Sequence, residues 1–402
     1  MGVILGRQVY SRRMFAGLAP GFARTPTIPG MTQALDICIR GAGIVGRTLA
    51  LLLARERLRV GLVAPTAAGT SQLAADVRAY ALNARSRALL ESLRCWPDAS
   101  HATEVRHMQV KGDDGGEVNF DAAHLQVAGL TWVVDVPALE AQLAQALRFQ
   151  PHIQLLDAPQ PAALTVICDG RASRTRAEFD IDFDVTPYPQ IAIAARLTCQ
   201  LPHNQTAFQW FSDGEIMAFL PLDGPQGNSV AVVWSVKEER AQTVLAQDPS
   251  AFCEQLEAFS QRSLGSLKLS SERRAWPLQM AQTGQWTGIR AGQAWALAGD
   301  AAHSVHPLAG QGLNLGLADV AALARTLHER EYWRALGDEK LLRRYQRSRK
   351  AEVLTMGAAM DGLHQLFAQS GPPWQAARNW GMNGFERSGP LKQWVARQAM
   401  GL

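Results

Sequence analysis

Trp295 to Leu327 reads WALAGDAAHSVHPLAGQGLNLGLADVAALARTL, and the rest of the chain is organised around it. The apolar run Trp295 to Ala298 has the length of a buried strand. It ends in Gly299-Asp300, turns through His303, Pro307, Gly310 and Gly312, and enters a segment with apolar residues at Leu313, Leu317, Val320, Leu323 and Leu327. The spacing approximates roughly 3.6 residues, so a helix is expected to start near Asn314. Strand, carboxylate, glycine-rich turn and helix start together bring backbone N–H groups and a partial positive charge to an anionic ligand. Asp300 at the strand end can accept hydrogen bonds from a sugar or polyol hydroxyl. Gly310 and Gly312 let backbone approach a flat ring with no side chain in between.

A second stretch has the same logic. Leu35 to Arg40 is an apolar strand leading into Gly41-Ala42-Gly43-Ile44-Val45-Gly46; a helical pattern follows at Val45, Leu49, Leu52 and Leu53, then a strand over Arg59 to Val63. This is a βαβ unit with G-x-G-x-x-G in the required context, so the pyrophosphate of a dinucleotide is expected on the helix start. Such units usually end their second strand with Glu or Asp, which binds the adenosine ribose; here Val63-Ala64-Pro65 stands in that place.

GDAAH followed by HPLAGQGLNLGLADV resembles the second flavin fingerprint of the FAD-dependent aromatic hydroxylases, closest to the branch that hydroxylates the ring of ubiquinone precursors. The resemblance implies that Asp300 binds the ribityl chain of FAD. It implies that Pro307, Gly310, Gly312, Leu313 and Asn314 set backbone and a helix start beside the flavin N1/O2 edge. There the helix N-terminus would stabilise the negative charge of reduced flavin. Gly41, Gly43 and Gly46 become the contacts of the pyrophosphate turn. Asp76 to Ser86 resembles the family's D-x-R-x-x-A-L-x-x-x-S segment and gives Arg78 a place near the FAD phosphates or the isoalloxazine edge; a local ion pair is the other reading of Arg78. LTVICDGRASRTR (Leu164 to Arg176) resembles the A-D-G-x-x-S-x-x-R element, with Cys168 replacing the alanine. It puts Asp169 and Gly170 near FAD and the NAD(P)H pyrophosphate. Tyr345 and Arg349 match a Y-x-x-x-R helix that packs on the flavin domain. Between Leu147 and Leu164 only a short link remains, where the family has a longer β-meander.

Thr131 to Leu147 reads as a strand running into an amphipathic helix with Leu139, Leu143 and Leu147 in register. From Gln190 the period changes to two: Ile191 to Thr198, Thr206 to Phe211, Ile216 to Leu220 and Ser229 to Val236 read as strands, with Asp213-Gly214 as a hairpin turn. Phe208, Trp210, Phe219 and Trp234 could line a pocket for a phenol with a greasy tail, although aromatics in strands more often pack a core. The expected fold class is α/β, a Rossmann-like FAD-binding domain with an inserted antiparallel β-sheet substrate domain and a C-terminal helical segment. The expected boundaries are 31–105, 138–185 and 286–355 for the FAD-binding domain, 106–137 and 186–285 for the substrate domain, and 356–402 for the C-terminal helices.

At 402 residues, 47% hydrophobic and 19% charged, the chain can bury a large core and is not a disordered sequence. No run of eighteen apolar residues is present. Five scattered cysteines (Cys38, Cys95, Cys168, Cys199, Cys253) argue against a disulfide framework or a zinc site. His303 and His306 lack acids or cysteines at metal-ligand spacing. The net charge of +4 is that of Arg7, Arg12, Arg13 and Arg24; elsewhere bases and acids cancel, which speaks against a nucleic-acid surface. Residues 1–30 are Arg-containing and acid-free like a mitochondrial presequence; the reading favoured here is that Met31 is the true start. The implied location is cytoplasmic or peripheral to the inner membrane, or the mitochondrial matrix if 1–30 is a presequence.

The resemblance implies a monooxygenase. NAD(P)H reduces FAD, O2 adds as a C4a-hydroperoxide, and an oxygen atom passes to the ring of a prenylated phenol, with water excluded. Other ubiquinone-biosynthesis proteins are the implied protein partners, and membrane contact is at most peripheral. A degenerate paralogue serving as a structural subunit is the alternative, favoured by the missing acid and the short link; a flavin monooxygenase acting on another aromatic is a third. Intact Gly310, Gly312, Asn314 and Asp169 favour the enzyme.

Overall fold

The computed structural model describes residues 34–64, 76–112, 115–305, 311–368 and 372–401. The leader 1–30, Pro65, His306, Pro307 and Gly310 lie outside the described residues.

In chain order the first half comprises β1 (Leu35–Arg40), α1 (Ile44–Arg55), β2 (Val60–Val63), β3 (Ala79–Leu82), α2 (Ala84–Ser92), β4 (Ala102–Val105), β5 (His107–Lys111), β6 (Glu117–Asp121), β7 (Thr131–Asp135), α3 (Val136–Arg148), β8 (Ile153–Leu156), β9 (Ala162–Ile167) and α4 (Arg174–Glu178). The second half continues with β10 (Asp184–Cys199), β11 (Thr206–Ser212), β12 (Glu215–Leu222), β13 (Ser229–Lys237), α5 (Glu238–Ala246), α6 (Pro249–Phe259), β14 (Leu267–Leu269), β15 (Arg274–Gln282), β16 (Thr287–Arg290), β17 (Gln293–Leu297), β18 (His303–Ser304), α7 (Gly312–His328), α8 (Glu339–Ala368), α9 (Pro372–Glu386) and α10 (Pro390–Met400).

A six-stranded sheet has the order β16-β17-β9-β1-β2-β8. Its strands from β17 to β8 run parallel, and the inner ones, β9, β1 and β2, are covered on both faces and read as near-continuous apolar runs. Ile37, Ile39, Val166 and Leu297 are fully buried there. α1 lays Leu49 and Leu53 on this core, each with no exposed surface; truncating either to Ala would cost about 2–5 kcal/mol. α7 packs beside α1 so closely that a Cβ at Gly316 would lie 2.9 Å from Val45. α3 starts at Val136-Pro137, where a proline at the first turn loses no hydrogen bond, and buries Leu139, Leu143 and Leu147.

The short link after Leu147 is not structureless. It contains β8, which pairs in parallel with β2 and closes the edge of the sheet. Its four residues show no clean alternation because an edge strand buries only part of its surface; Leu155 is 63% exposed.

The nine-stranded sheet has the order β18-β15-β10-β13-β12-β11-β5-β6, with β14 pairing β10. The hairpin at Asp213-Gly214 has positive φ at both residues, as a two-residue turn needs. The register corrects the aromatic-pocket expectation. Phe208 opposes Phe219, and Met217 opposes both Trp210 and Trp234, so all share one face. That face is sealed by Val244 of α5 and Phe252 and Leu256 of α6. Trp210, Phe219 and Trp234 are at most 3% exposed, with Trp210 edge-on to Phe219 at 5.1 Å. They are core. The opposite face packs partly on the three-stranded sheet β3-β7-β4 through Val105 and Val133.

Candidate cofactor site

The carboxyl ends of β1, β9 and β17 lie side by side. Arg40 is level with Ile167, and Ile167 with Leu297. The next residues continue the ladder: Cys168 N donates to Arg40 O at 2.8 Å and Ala298 N to Ile167 O at 3.0 Å. Three turns from distant parts of the chain therefore open on one crest, where ligands of parallel α/β sheets bind.

The first turn needs its glycines for different reasons. Gly41 has φ +114, and a Cβ there would sit 2.5 Å from the Cys168 carbonyl oxygen. A Cβ at Gly46 would lie 1.9 Å from Gly41 O, so helix and turn touch through backbone alone. Gly43, by contrast, has nothing within 4 Å of its Cβ position. It precedes α1, whose first turn has neither a side-chain cap nor an acidic residue. An uncapped helix start behind an open glycine is an anion site in waiting.

The second turn holds Asp169 and Gly170. Asp169 Oδ2 accepts from Thr175 Oγ1 at 2.7 Å, while Oδ1 is buried with no partner. Gly170, φ +81, has open space at its Cβ position. Arg176, 6% exposed, donates to Ala301 O at 2.9 Å and to the Arg171 carbonyl, and stacks 3.6 Å over the Phe183 ring. It clamps the second turn to the third.

The third turn carries Asp300. Gly299 takes φ +65 and its N–H donates to Asp319 Oδ2 at 2.9 Å. His303 Nε2 lies 2.7 Å from the same oxygen, and Arg349 Nε donates to Asp319 Oδ1 at 2.8 Å. Arg349 also pairs with Glu352, and Tyr345 Oη donates to Leu297 O at 2.8 Å. Trp286 stacks on the His303 ring at 4.9 Å. Burial alone would push the Asp319 carboxyl up; the charges and hydrogen bonds of His303 and Arg349 outweigh it and hold its pKa below the usual value. The buried set fixes the turn so that the Asp300 side chain reaches solvent. Asp300 is accessible to water yet recessed among protein, and this desolvation raises its pKa against the pull of His303, Arg171 and Arg78. Its carboxylate has no hydrogen-bond partner among the described residues.

The remaining expected contacts are arranged differently from one another. α7 starts at Gly312, two residues before the expected Asn314, with no side-chain cap and open space at the glycine. Asn314 is 4% exposed and its amide is fully used: Oδ1 accepts from Asn83 N (3.0 Å) and Ser86 Oγ (2.7 Å), and Nδ2 donates to Ala81 O (2.8 Å) and Gln311 Oε1 (3.4 Å). It anchors the helix start to the segment between β3 and α2, and its side chain has no bond left for a ligand. Leu313 is half-buried against the main core, so it too can offer a ligand chiefly backbone. Arg78 donates to both Asp76 carboxylate oxygens, from Nη2 to Oδ2 at 2.5 Å and from Nε to Oδ1 at 2.9 Å, in a partly exposed local pair. At the end of β2, Ala64 offers no polar side chain.

Asp319 was not among the expected site residues. Its signal lay inside the first quoted stretch: an acid on the otherwise apolar face of a helix, which is tolerated only when paired. A recess of about 870 Å³ opens at the far edge of the six-stranded sheet, lined by Ile181, Gln285, Ile289, Arg343 and Arg347 among others. None of the expected cofactor contacts borders it, and its walls are wide open and mixed in charge. Among the described residues no group of three or more His, Cys, Asp or Glu could hold a metal ion. The orphan Asp169 Oδ1, the unpartnered Asp300 carboxylate and the open positions at Gly43, Gly170 and Gly312 fit a flavin dinucleotide laid along the crest.

Residues 160–357 match the family described as FAD binding domain. The chain is 30% identical over 396 residues to the 3-demethoxyubiquinol 3-hydroxylase of Escherichia coli (strain K12), covering 92% of this chain and 99% of that protein. It is 29% identical over 424 residues to the ubiquinone hydroxylase UbiL of Rhodospirillum rubrum, covering 97% and 96%. Among solved structures it is similar to PqsL, a probable FAD-dependent monooxygenase from Pseudomonas aeruginosa, with a TM-score of 0.70 at 20% identity over 87% of this chain and 99% of that one.

Proposed function

The chain belongs to the FAD-dependent hydroxylases of ubiquinone biosynthesis, and on that premise we propose that it hydroxylates the aromatic ring of a polyprenylated phenol with NAD(P)H and O2. It is an FAD-dependent aromatic monooxygenase. The observation that carries the site assignment is the unpartnered Asp169 Oδ1 together with the unpartnered Asp300 carboxylate, beside a crest with three open glycine positions.

When bound, FAD takes hydride from the nicotinamide and activates O2 for transfer to the ring. The protein binds, orients and shields. In this reading the α1 start behind Gly43 holds the pyrophosphate through backbone N–H groups. Asp169 and Asp300 accept hydrogen bonds from hydroxyls of the cofactor, and Arg176 and Asp319 keep their two turns in register. The backbone at Gly312 and Leu313 meets the flavin ring, with the uncapped start of α7 aimed at its electron-rich edge. Arg78 is close enough to Asp300 to act on its charge and stands as the candidate contact beside it. The six-stranded sheet forms the cofactor domain and the nine-stranded sheet the substrate domain.

The substrate face is the side of the nine-stranded sheet that α5 and α6 do not cover. Gln209, Ala218, Val233 and Ala194 form one row across it, and Ala218 and Val233 remain half-buried at the centre of the sheet. Small residues there leave room for a ring, and water exclusion follows once a substrate fills the gap. Peripheral membrane contact is supported by the C-terminal helices, where Trp380 is 81% and Trp394 61% exposed. No described helix is long and apolar enough to cross a membrane.

The test is the visible absorption spectrum of the purified protein, then NAD(P)H oxidation with and without a prenylated phenol. Bound flavin with substrate-stimulated oxidation is expected, and Ala218→Trp should abolish the stimulation while leaving flavin content intact. A colourless protein that FAD cannot reconstitute would overturn the enzyme reading in favour of a structural subunit, which the absence of an acid at Ala64 favours.

A further inference from the structure

We propose that Asp157, directly after β8, binds the adenosine ribose of FAD in place of the acid absent after β2; this rests on the FAD reading above. In dinucleotide-binding βαβ units a carboxylate at the end of the second strand accepts hydrogen bonds from the ribose hydroxyls. Here that position is Ala64, which can accept none through its side chain. The sheet supplies a carboxylate one strand further out. β8 runs parallel to β2 with Val63 level with Leu156. The ladder continues one step beyond, because Ala64 N donates to Leu156 O at 3.1 Å. Ala64 and Asp157 are therefore the next pair of neighbours on the crest, about 4.8 Å apart across adjacent strands.

Parity agrees with this. A Cβ on Gly61 would strike Leu156 Cδ1 at 2.6 Å, so Leu156 shares the face of Gly61 and Val63. Asp157 then falls in the alternate set with Leu62 and Ala64. Of the residues directly following β1, β2 and β8, which are Gly41, Ala64 and Asp157, only Asp157 has a hydrogen-bonding side chain. It is exposed, and it has no ion-pair or hydrogen-bond partner among the described residues. Asp36, the acid on the same sheet at the opposite end of β1, is by contrast bound to Arg59 at 2.9 Å. A dinucleotide whose pyrophosphate sits at the α1 start and whose adenosine extends along the crest passes over β2 toward β8. In this arrangement the family's usual contact is not lost but moved to the edge strand.

The experiment uses the full chain freed of flavin and titrated with FAD and, separately, with FMN, which lacks the adenosine half; flavin fluorescence reports binding. Asp157→Asn should weaken FAD binding roughly 10-fold, because the amide keeps one acceptor oxygen but loses the charge that strengthens hydrogen bonds from the ribose hydroxyls, with FMN affinity unchanged. Adding Ala64→Glu to Asp157→Asn should restore FAD affinity. The proposal is overturned if Asp157→Asn binds FAD like the unmodified protein, or if FAD and FMN weaken equally. If the unmodified protein binds no FAD at all, the functional reading itself fails, and this assignment with it.

Discussion

Replacing Arg349 with Met tests whether the turn bearing Asp300 is held from below. Asp319 has no exposed surface and is approached by the His303 ring, the Arg349 guanidinium and one backbone N–H. Removing Arg349 leaves a buried carboxylate with half its compensation, a change that costs about 3–5 kcal/mol. With an unfolding entropy of about 2.1 cal/mol/K per residue, the roughly 370 residues of Ala34–Leu402 give a slope near 0.8 kcal/mol per degree, so Tm should fall by about 5 °C. The acid limb should move as well. The lowered Asp319 pKa means that its ionised form contributes stability above the ordinary carboxylate range, lost as pH falls through the lowered value. Without Arg349 that pKa rises, so the variant should begin to lose stability at a higher pH than the parent. FAD affinity should drop in parallel because Gly299 and His303 share the same carboxylate. Asp319→Asn combined with Arg349→Met keeps the acceptor for Gly299 without the charge and should recover about half of the lost stability. Thermal melts across pH with a FAD titration decide it. An Arg349→Met protein with parental Tm, acid limb and FAD affinity would refute the reasoning.

Three further outcomes are expected. Gly43→Ala should fold normally, since its Cβ meets nothing, yet bind FAD more weakly, whereas Gly46→Ala should be destabilised by about 3 kcal/mol or more through its collision with Gly41 O; circular dichroism and flavin titration on both separate the roles. Asp300→Asn should raise the Tm of the flavin-free protein above neutral pH while lowering FAD affinity, because an acid with a raised pKa costs stability when ionised; a lowered Tm would contradict it. Asn314→Leu should cost about 3 kcal/mol by orphaning Asn83 N and Ala81 O, read as lost hydrogen-exchange protection at Asn83.

Much of this was legible in the sequence because local patterns carried it. Gly41 to Gly46 and Gly299-Asp300 announce turns whose backbone chemistry depends on residues close in sequence. The βαβ unit, α3 and the strands from β10 to β13 follow from period alone. Faces did not follow. Phe208, Trp210, Phe219 and Trp234 alternate as strand residues do, but which side α5 and α6 cover is fixed by tertiary packing. The partners of Asp319 and Asn314 were equally hidden, because Arg349 lies thirty residues onward and Ala81 and Asn83 more than two hundred residues back. β8 escaped notice because four residues at a sheet edge leave almost no periodic signal.

The crest formed by β1, β9 and β17 has a consequence for how the molecule is made. Gly41, Asp169 and Asp300 are neighbours in space but emerge from the ribosome far apart, with the whole of β10 to β15 synthesised between the second and third turns. The third turn is braced only after Tyr345 and Arg349 have followed. Contacts of such long sequence separation form slowly and late. The βαβ half can condense early, yet the place for the cofactor is complete only when nearly the whole chain has been translated. Acquisition of flavin colour is thus a timer for the end of folding, and a truncation between α7 and α8, which keeps every strand but removes Tyr345 and Arg349, should yield a protein that forms its sheets but does not turn yellow.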